Sequence, residues 1–161
     1  MKHAPACSNL GVAYERGQGV AKDLTKAAQL YEKACSVENA DACFNLGNVY
    51  DDGKGVAKDL SKAAQLFEKA CSKEVAGACF NLGIAYEKGL GVANDLSKAA
   101  QQYEKACSME HVSACFNLGI TYANGEGVVK NKGKAIQFSD KACRLGNSDG
   151  CRNAKILRSS K

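Results

Sequence analysis

The sequence predicts an all-α fold, a right-handed α/α solenoid of 36-residue helical hairpins. Three observations carry that prediction. Nine cysteines fall on a 36-residue grid, with Cys7, Cys43, Cys79, Cys115 and Cys151 in one column and Cys35, Cys71, Cys107 and Cys143 in the other. Whole phrases recur at the same period, as in Ala42-Cys43-Phe44-Asn45-Leu46-Gly47, Ala78-Cys79-Phe80-Asn81-Leu82-Gly83 and Ala114-Cys115-Phe116-Asn117-Leu118-Gly119. Each unit also carries too few large apolar residues to fold alone, so it must bury its face on its neighbours.

The first helix of a unit, such as Ala42 to Asp52, places Leu46, Val49 and Tyr50 at i, i+3 and i+4 on one apolar face. It stops at glycines: Gly53-Lys54-Gly55, Gly89-Leu90-Gly91 and Gly125-Glu126-Gly127 supply the left-handed backbone that turns the chain. The second helix opens after Asp23, Asp59 or Asp95, short acceptors suited to the N-cap. In it Leu60, Ala63, Ala64, Phe67 and Cys71 share a face. Gly11, Gly47, Gly83 and Gly119 lie inside first helices, where Gly costs about 1 kcal/mol relative to Ala, and close approach to the Ala-Ala pairs is the simplest compensation. The Tyr column (Tyr14, Tyr50, Tyr86, Tyr122) and the aromatic column of the second helices (Tyr31, Phe67, Tyr103, Phe138) are assigned to packing.

The result is one repeat domain over residues 1–161, with units at about 4–39, 40–75, 76–111 and 112–147 and a capping helix in 148–161. The fourth unit keeps a cap in Asn131-Lys132-Gly133 but loses an apolar anchor. The last helix, from about Ser148 to Arg158, carries Arg152, Ala154 and Lys155 in the Phe, Leu and Gly columns, the polar wear of a closing cap.

There is no Trp, the only proline is Pro5, and no 18-residue apolar span would cross a membrane. The start, Met1 to Cys7, enters the first repeat without an apolar signal-peptide core, so the expectation is either a mature or cut piece or export without a conventional signal. The net charge of +5 is uneven. From Lys130 onward there are nine basic residues against Asp140 and Asp149, leaving 13 basic and 15 acidic residues, a net −2, in the first 129. A solvated cap explains this end more simply than an acidic partner does. The basic tail lacks aromatic interleaving, so no nucleic acid is expected as a partner.

The signature Ala-Cys-Phe-Asn-Leu-Gly-x-x-Tyr, then Gly-x-Gly-Val-x-Lys-Asp-Leu-Ser-Lys-Ala, then Tyr-Glu-Lys-Ala-Cys resembles the Sel-one-like repeat, a 36-residue relative of the tetratricopeptide repeat. With its paired cysteines it is similar to the cysteine-rich branch typified by the Helicobacter cysteine-rich proteins. The residues alone leave two pairings open. One runs across the short turn (Cys35 with Cys43, Cys71 with Cys79, Cys107 with Cys115, Cys143 with Cys151), and the other runs within a unit from Cys7 with Cys35 onward. The resemblance implies the first, and makes Cys7 half of a pair whose upstream member is missing, a free thiol and a candidate for intermolecular crosslinking. Persistent disulfides imply a periplasmic or secreted protein. With no Cys-x-x-Cys and only His3 and His111, neither a metal nor another cofactor is called for.

The candidate binding residues are the column Asn9, Asn45, Asn81, Asn117 and Asn153, each just before the buried Leu or its replacement. The resemblance to tetratricopeptide proteins implies that first helices line a concave groove where such amides bond the backbone of an extended peptide or protein segment. Beside them the residues differ between units: Val12, Asn48, Ile84 and Ile120 at i+3, and Arg16, Asp52, Lys88 and Asn124 at i+7. The alternative is that each Asn bonds a neighbouring helix and records duplication only. The function expected is an extracytoplasmic protein-interaction scaffold. Some relatives in this branch are described as penicillin-binding proteins or weak β-lactamases, which the resemblance carries as a second reading. No Ser-x-x-Lys, Ser-Asp-Asn or Lys-Thr-Gly set supports it.

Overall fold

The computed structural model describes residues 4–160, which form helices and turns and contain no strand. The chain divides into two compact units, Met1–Val75 and Ala76–Lys161. The first holds α1 (Ala4–Arg16), α2 (Leu24–Ser36), α3 (Ala40–Asp52) and α4 (Leu60–Ser72). The second holds α5 (Ala76–Lys88), α6 (Leu96–Ser108), α7 (Val112–Asn124), α8 (Lys132–Arg144) and α9 (Ser148–Ser159). In each unit helices that follow one another pack as antiparallel neighbours, α1 on α2, α2 on α3 and α3 on α4, then α5 through α9 in the same manner.

Each second helix begins where its sequence says. The Asp23, Asp59, Asp95 and Asn131 side chains accept from the backbone N–H of Lys26, Lys62, Lys98 and Lys134, which satisfies one of the otherwise orphaned donors. The same residues tie the hairpin, since their own N–H groups donate to the carbonyls of Tyr14, Tyr50, Tyr86 and Tyr122 at 2.9–3.0 Å. First helices have caps that the sequence does not advertise: Asn39, His111 and Asn147 accept from Ala42, Ala114 and Gly150. Between repeats Glu38, Glu74 and Glu110 stand at φ of 62–65°, a left-handed conformation, and Gly146 takes the fourth such position. There the chain closes on the helix end, as where Asn39 N–H bonds Ala34 O at 3.1 Å.

The core of the hairpins α1–α2, α3–α4 and α5–α6 is a ring laid on a glycine. A Cβ at Gly47 would fall 2.6 Å from Phe67 Cε1, and Gly11 and Gly83 are as close to Tyr31 and Tyr103. The interior glycines therefore answer to the aromatic column rather than to the Ala-Ala pairs. In the last hairpin the column slips from its expected member. Ser139, not Phe138, fills the buried slot, and Gly119 sits against Ser139 and the Ala135 carbonyl. Phe138 is half-buried and stacks on Tyr122 with ring centroids 5.6 Å apart. The small side chain allows the two backbones to meet at a distance that a ring would hold open.

Repeats are joined by three devices. Disulfides link Cys35–Cys43, Cys107–Cys115 and Cys143–Cys151, and Cys71 and Cys79 are disulfide-bonded as well. This is the eight-residue pairing that the resemblance implied. Among the described residues Cys7 is the free cysteine, half-buried. Next, Lys69 and Lys141 donate through Nζ to the carbonyls of Cys35 and Cys107 at 2.9 and 2.7 Å, satisfying the last turn of the preceding second helix. Finally, Gly55 and Gly127, the second glycines of their Gly-x-Gly turns, rest on the starts of α2 and α6. Gly55 O accepts from Thr25 Oγ1 and Gly127 O from Ser97 Oγ, and a Cβ on either glycine would lie within 2.7 Å of Leu24 or Leu96.

Candidate functional site

The equivalent first-helix, second-helix, first-helix triplets α1–α2–α3 and α5–α6–α7 each form a polar cleft around a buried tyrosine. In the first, Tyr31 Oη donates to Glu15 Oε2 at 2.6 Å. In the second, Tyr103 Oη donates to Glu87 Oε2. Both phenols are pushed well above their ordinary pKa, first by burial and then by the bonded carboxylate, so they remain protonated donors. The nearby Asn117 amide opposes that rise. The Tyr103 ring that holds this pair is 2% exposed.

Asn45 lines a broad opening of about 530 Å³ with Glu15, Arg16, Lys22, Leu24 and Lys54. Asn48 lines a small adjoining cavity of about 30 Å³. Asn117 and Ile120 line a cavity of about 100 Å³ with Glu87, Tyr103, Thr121 and Glu126. Asn9 is exposed. Asn81 and Ile84 are half-buried, Asn81 being engaged by a neighbour. Lys88 is exposed, and Asn124, also exposed, donates to Glu126 Oε1 at 3.0 Å. Asn153 is spent internally, donating to Ser139 Oγ at 2.9 Å. The Asn column is thus mixed: Asn45 and Asn117 face clefts, while Asn153 braces the last hairpin.

The Tyr column is half packing and half electrostatics. Lys26, Lys62, Lys98 and Lys134 each place Nζ over the ring of Tyr14, Tyr50, Tyr86 or Tyr122, 4.2–5.3 Å from the centroid. His111 is engaged structurally: Nδ1 caps α7, and the ring stacks on Phe80 at 4.5 Å. His3 lies outside the described residues. Among the described residues no three His, Cys, Asp or Glu converge to hold a metal, and no helix is long and apolar enough to cross a membrane. At the basic end Arg158 pairs with Asp140, Arg152 with Asp149 at 3.3 Å, and Lys132 donates to Ser160 O.

The sequence model of the Sel1 repeat matches residues 4–37, 40–75, 76–111 and 112–147, nearly the hairpins described above. The chain belongs to the Sel1 repeat family. Among solved structures, a protective antigen of uropathogenic Escherichia coli strains is 31% identical, with a TM-score of 0.94 over 97% of this chain and 33% of that one. A Sel1 repeat protein of Oxalobacter formigenes is 29% identical, with a TM-score of 0.92 over 96% of this chain and 64% of that one. Helicobacter pylori cysteine-rich protein B is 41% identical, with a TM-score of 0.65 over 81% of this chain and 94% of that one. The chain thus spans a third of the E. coli protein and less than two thirds of the Oxalobacter protein. No curated protein sequence matches it. The all-α Sel1 solenoid with disulfides between repeats is therefore the architecture of this chain. What the sequence reading missed in the clefts is the Tyr–Glu pair, whose partners are 16 residues apart on different helices.

Proposed function

We propose that this Sel1 repeat chain is an extracytoplasmic scaffold that binds an extended peptide or protein segment along its first helices, with Asn45 and Asn117 bonding the ligand backbone. The observation that carries the reading is the placement of the Asn117 amide, which lines the cavity between α5, α6 and α7 together with Glu87 and Tyr103. A side-chain amide offers both N–H donors and a carbonyl acceptor, the complement of a peptide unit. Asn45 occupies the equivalent position in the first unit and lines its open cleft. The staples support pre-organisation, because a rigid groove loses less freedom on binding. They also support an oxidising compartment, and the antigen description of the E. coli relative is in keeping with a surface location.

The test is a peptide selected from a random library on the oxidised protein, followed by titration of single variants. Asn45→Ala and Asn117→Ala are each expected to weaken binding about five- to tenfold, the loss of one net hydrogen bond or slightly more. Asn153→Ala, whose amide bonds Ser139, is expected to leave affinity unchanged. Affinity that ignores Asn45→Ala and Asn117→Ala refutes the groove. For the compartment, the natural protein recovered from the periplasm or medium should block thiol alkylation at every cysteine except Cys7.

A further inference from the structure

Thr121 does not fit its column. The equivalent positions in the earlier first helices are Ala13, Val49 and Ala85, and packing there asks only for a small apolar group. Thr121 is 7% exposed, yet its hydroxyl bonds no described residue. Every fully enclosed side-chain nitrogen or oxygen among the described residues does have a partner. The Thr121 oxygen must therefore keep an opening, and the cavity of about 100 Å³ that it lines with Glu87, Tyr103, Asn117, Ile120 and Glu126 is that opening.

The charge in this cavity is uncompensated. Glu87 is held by the Tyr103 phenol and Glu126 by the Asn124 amide, and neither carboxylate forms an ion pair with a described residue. Each carboxylate accepts one such bond and has lone pairs to spare. The first unit supplies the contrast. Lys54 stands where the second unit has Glu126, and its Nζ is 2.7 Å from Asp52. One frame is thus built twice, with a cation at this position in the first copy and a carboxylate in the second.

We propose that the cleft between α5, α6 and α7 takes the cationic head of an arginine or lysine side chain of the bound peptide. The proposal rests on the groove reading above and specifies what this part of the groove selects. The carboxylates of Glu87 and Glu126 receive the guanidinium or ammonium N–H groups, and charge-assisted bonds of this kind are the strong ones. The Thr121 hydroxyl gains an acceptor role that it lacks in the free chain. A cavity of about 100 Å³ has room for a four-atom guanidinium head, since one water requires only about 10–15 Å³.

The test is an amide-shift titration of the full, disulfide-intact chain with N-acetylated, C-amidated pentapeptides Ala-Ala-X-Ala-Ala, where X is Arg, Lys, norleucine or Glu. The Arg and Lys peptides are expected to shift the Thr121 and Glu126 amides and to bind at least tenfold more tightly than the norleucine peptide. Glu126→Gln, a substitution at an exposed turn residue, should reduce the cationic peptides to near the norleucine value without changing norleucine binding. Thr121→Val should weaken the cationic peptides severalfold and leave stability intact. Equal binding of the Arg and norleucine peptides, with Asn117→Ala weakening both, overturns the cation pocket and leaves the groove. Binding that depends on Glu126 but ignores Asn117→Ala overturns the groove and leaves the pocket. Absence of any shift at Thr121 with all four peptides overturns the pocket outright.

Discussion

Gly83→Ala isolates the ring-on-glycine contact that sets helix spacing in α1–α2, α3–α4 and α5–α6. The added Cβ would lie 2.6 Å from Tyr103 Cε1, 2.7 Å from Cδ1 and 3.3 Å from Cζ, against an ordinary contact of about 3.5–4.0 Å. Tyr103 is 2% exposed and its hydroxyl is bonded at the far end, so the ring has nowhere to turn. Overpacking of a full core costs about 1–3 kcal/mol. Displacing the ring also weakens a bond to a carboxylate worth about 1.5–3 kcal/mol, while Ala in place of Gly in a helix returns about 1 kcal/mol. The net expectation is a loss of about 1–3 kcal/mol, or about 2–4 °C in Tm for each kcal/mol at this chain length. Gly133→Ala is the control, because its Cβ meets only Asn131 Oδ1 at 3.3 Å on an exposed first turn of α8; it should be neutral or slightly stabilising. Urea and thermal unfolding followed by far-UV circular dichroism under non-reducing conditions decides the matter. A Gly83→Ala protein as stable as the parent would refute the ring-on-glycine account.

Replacing both Cys107 and Cys115 by Ser removes a staple that closes a nine-residue loop, and the chain-entropy relation gives a loss of about 2.6 kcal/mol; a urea midpoint unchanged by the pair of substitutions contradicts it. His111 accepts the Ala114 N–H through Nδ1, and burial lowers its pKa below the usual 6.5. The unfolded chain therefore binds the proton more readily, so the stability from this cap is fully present above about pH 6.5 and is lost as the pH falls through the lowered folded value. His111→Asn, the residue that caps α3 and α9 from Asn39 and Asn147, should flatten that part of the stability-versus-pH curve; a slope equal to the parent's assigns the dependence elsewhere.

The helices and most of their ends were legible because they depend on local chemistry. Asp23, Asp59 and Asp95 each stand three residues before the N–H they accept, and the glycine pairs sit where the backbone turns left-handed. The caps of the first helices were not, since the equivalent positions read Asn39, Val75, His111 and Asn147 and no single residue type marks them. Phe138 was assigned to the core because it is the aromatic residue nearest the expected place. The strict period points to Ser139, and the close approach of Ser139 N to Gly119 explains why a small side chain fills that slot. The Asn column could be read from the sequence, but its division could not. Whether an amide faces a cleft or braces a hairpin depends on what surrounds it: Asn117 lines a cavity with Tyr103, whereas Asn153 donates to Ser139.

That dependence follows the ring that each second helix carries. In hairpins α1–α2 and α5–α6 the buried ring is a tyrosine, and a glutamate stands on the first helix to accept its proton. In α3–α4 and α7–α8 the slot holds Phe67 or Ser139, and the glutamate's place holds Asp51 or Ala123. A buried phenol must find an acceptor, so the hydroxyl brings a carboxylate with it, and the pair makes a polar edge where the next first helix presents its asparagine. Phenylalanine fills the same space against the glycine without that requirement. The change between Tyr and Phe therefore leaves the ring-on-glycine spacing intact while adding or removing a phenol–carboxylate pair. Helix spacing and polar chemistry are set by different atoms of one residue, so a repeat array of this kind can vary the polar groups beside its helices without altering how its hairpins pack.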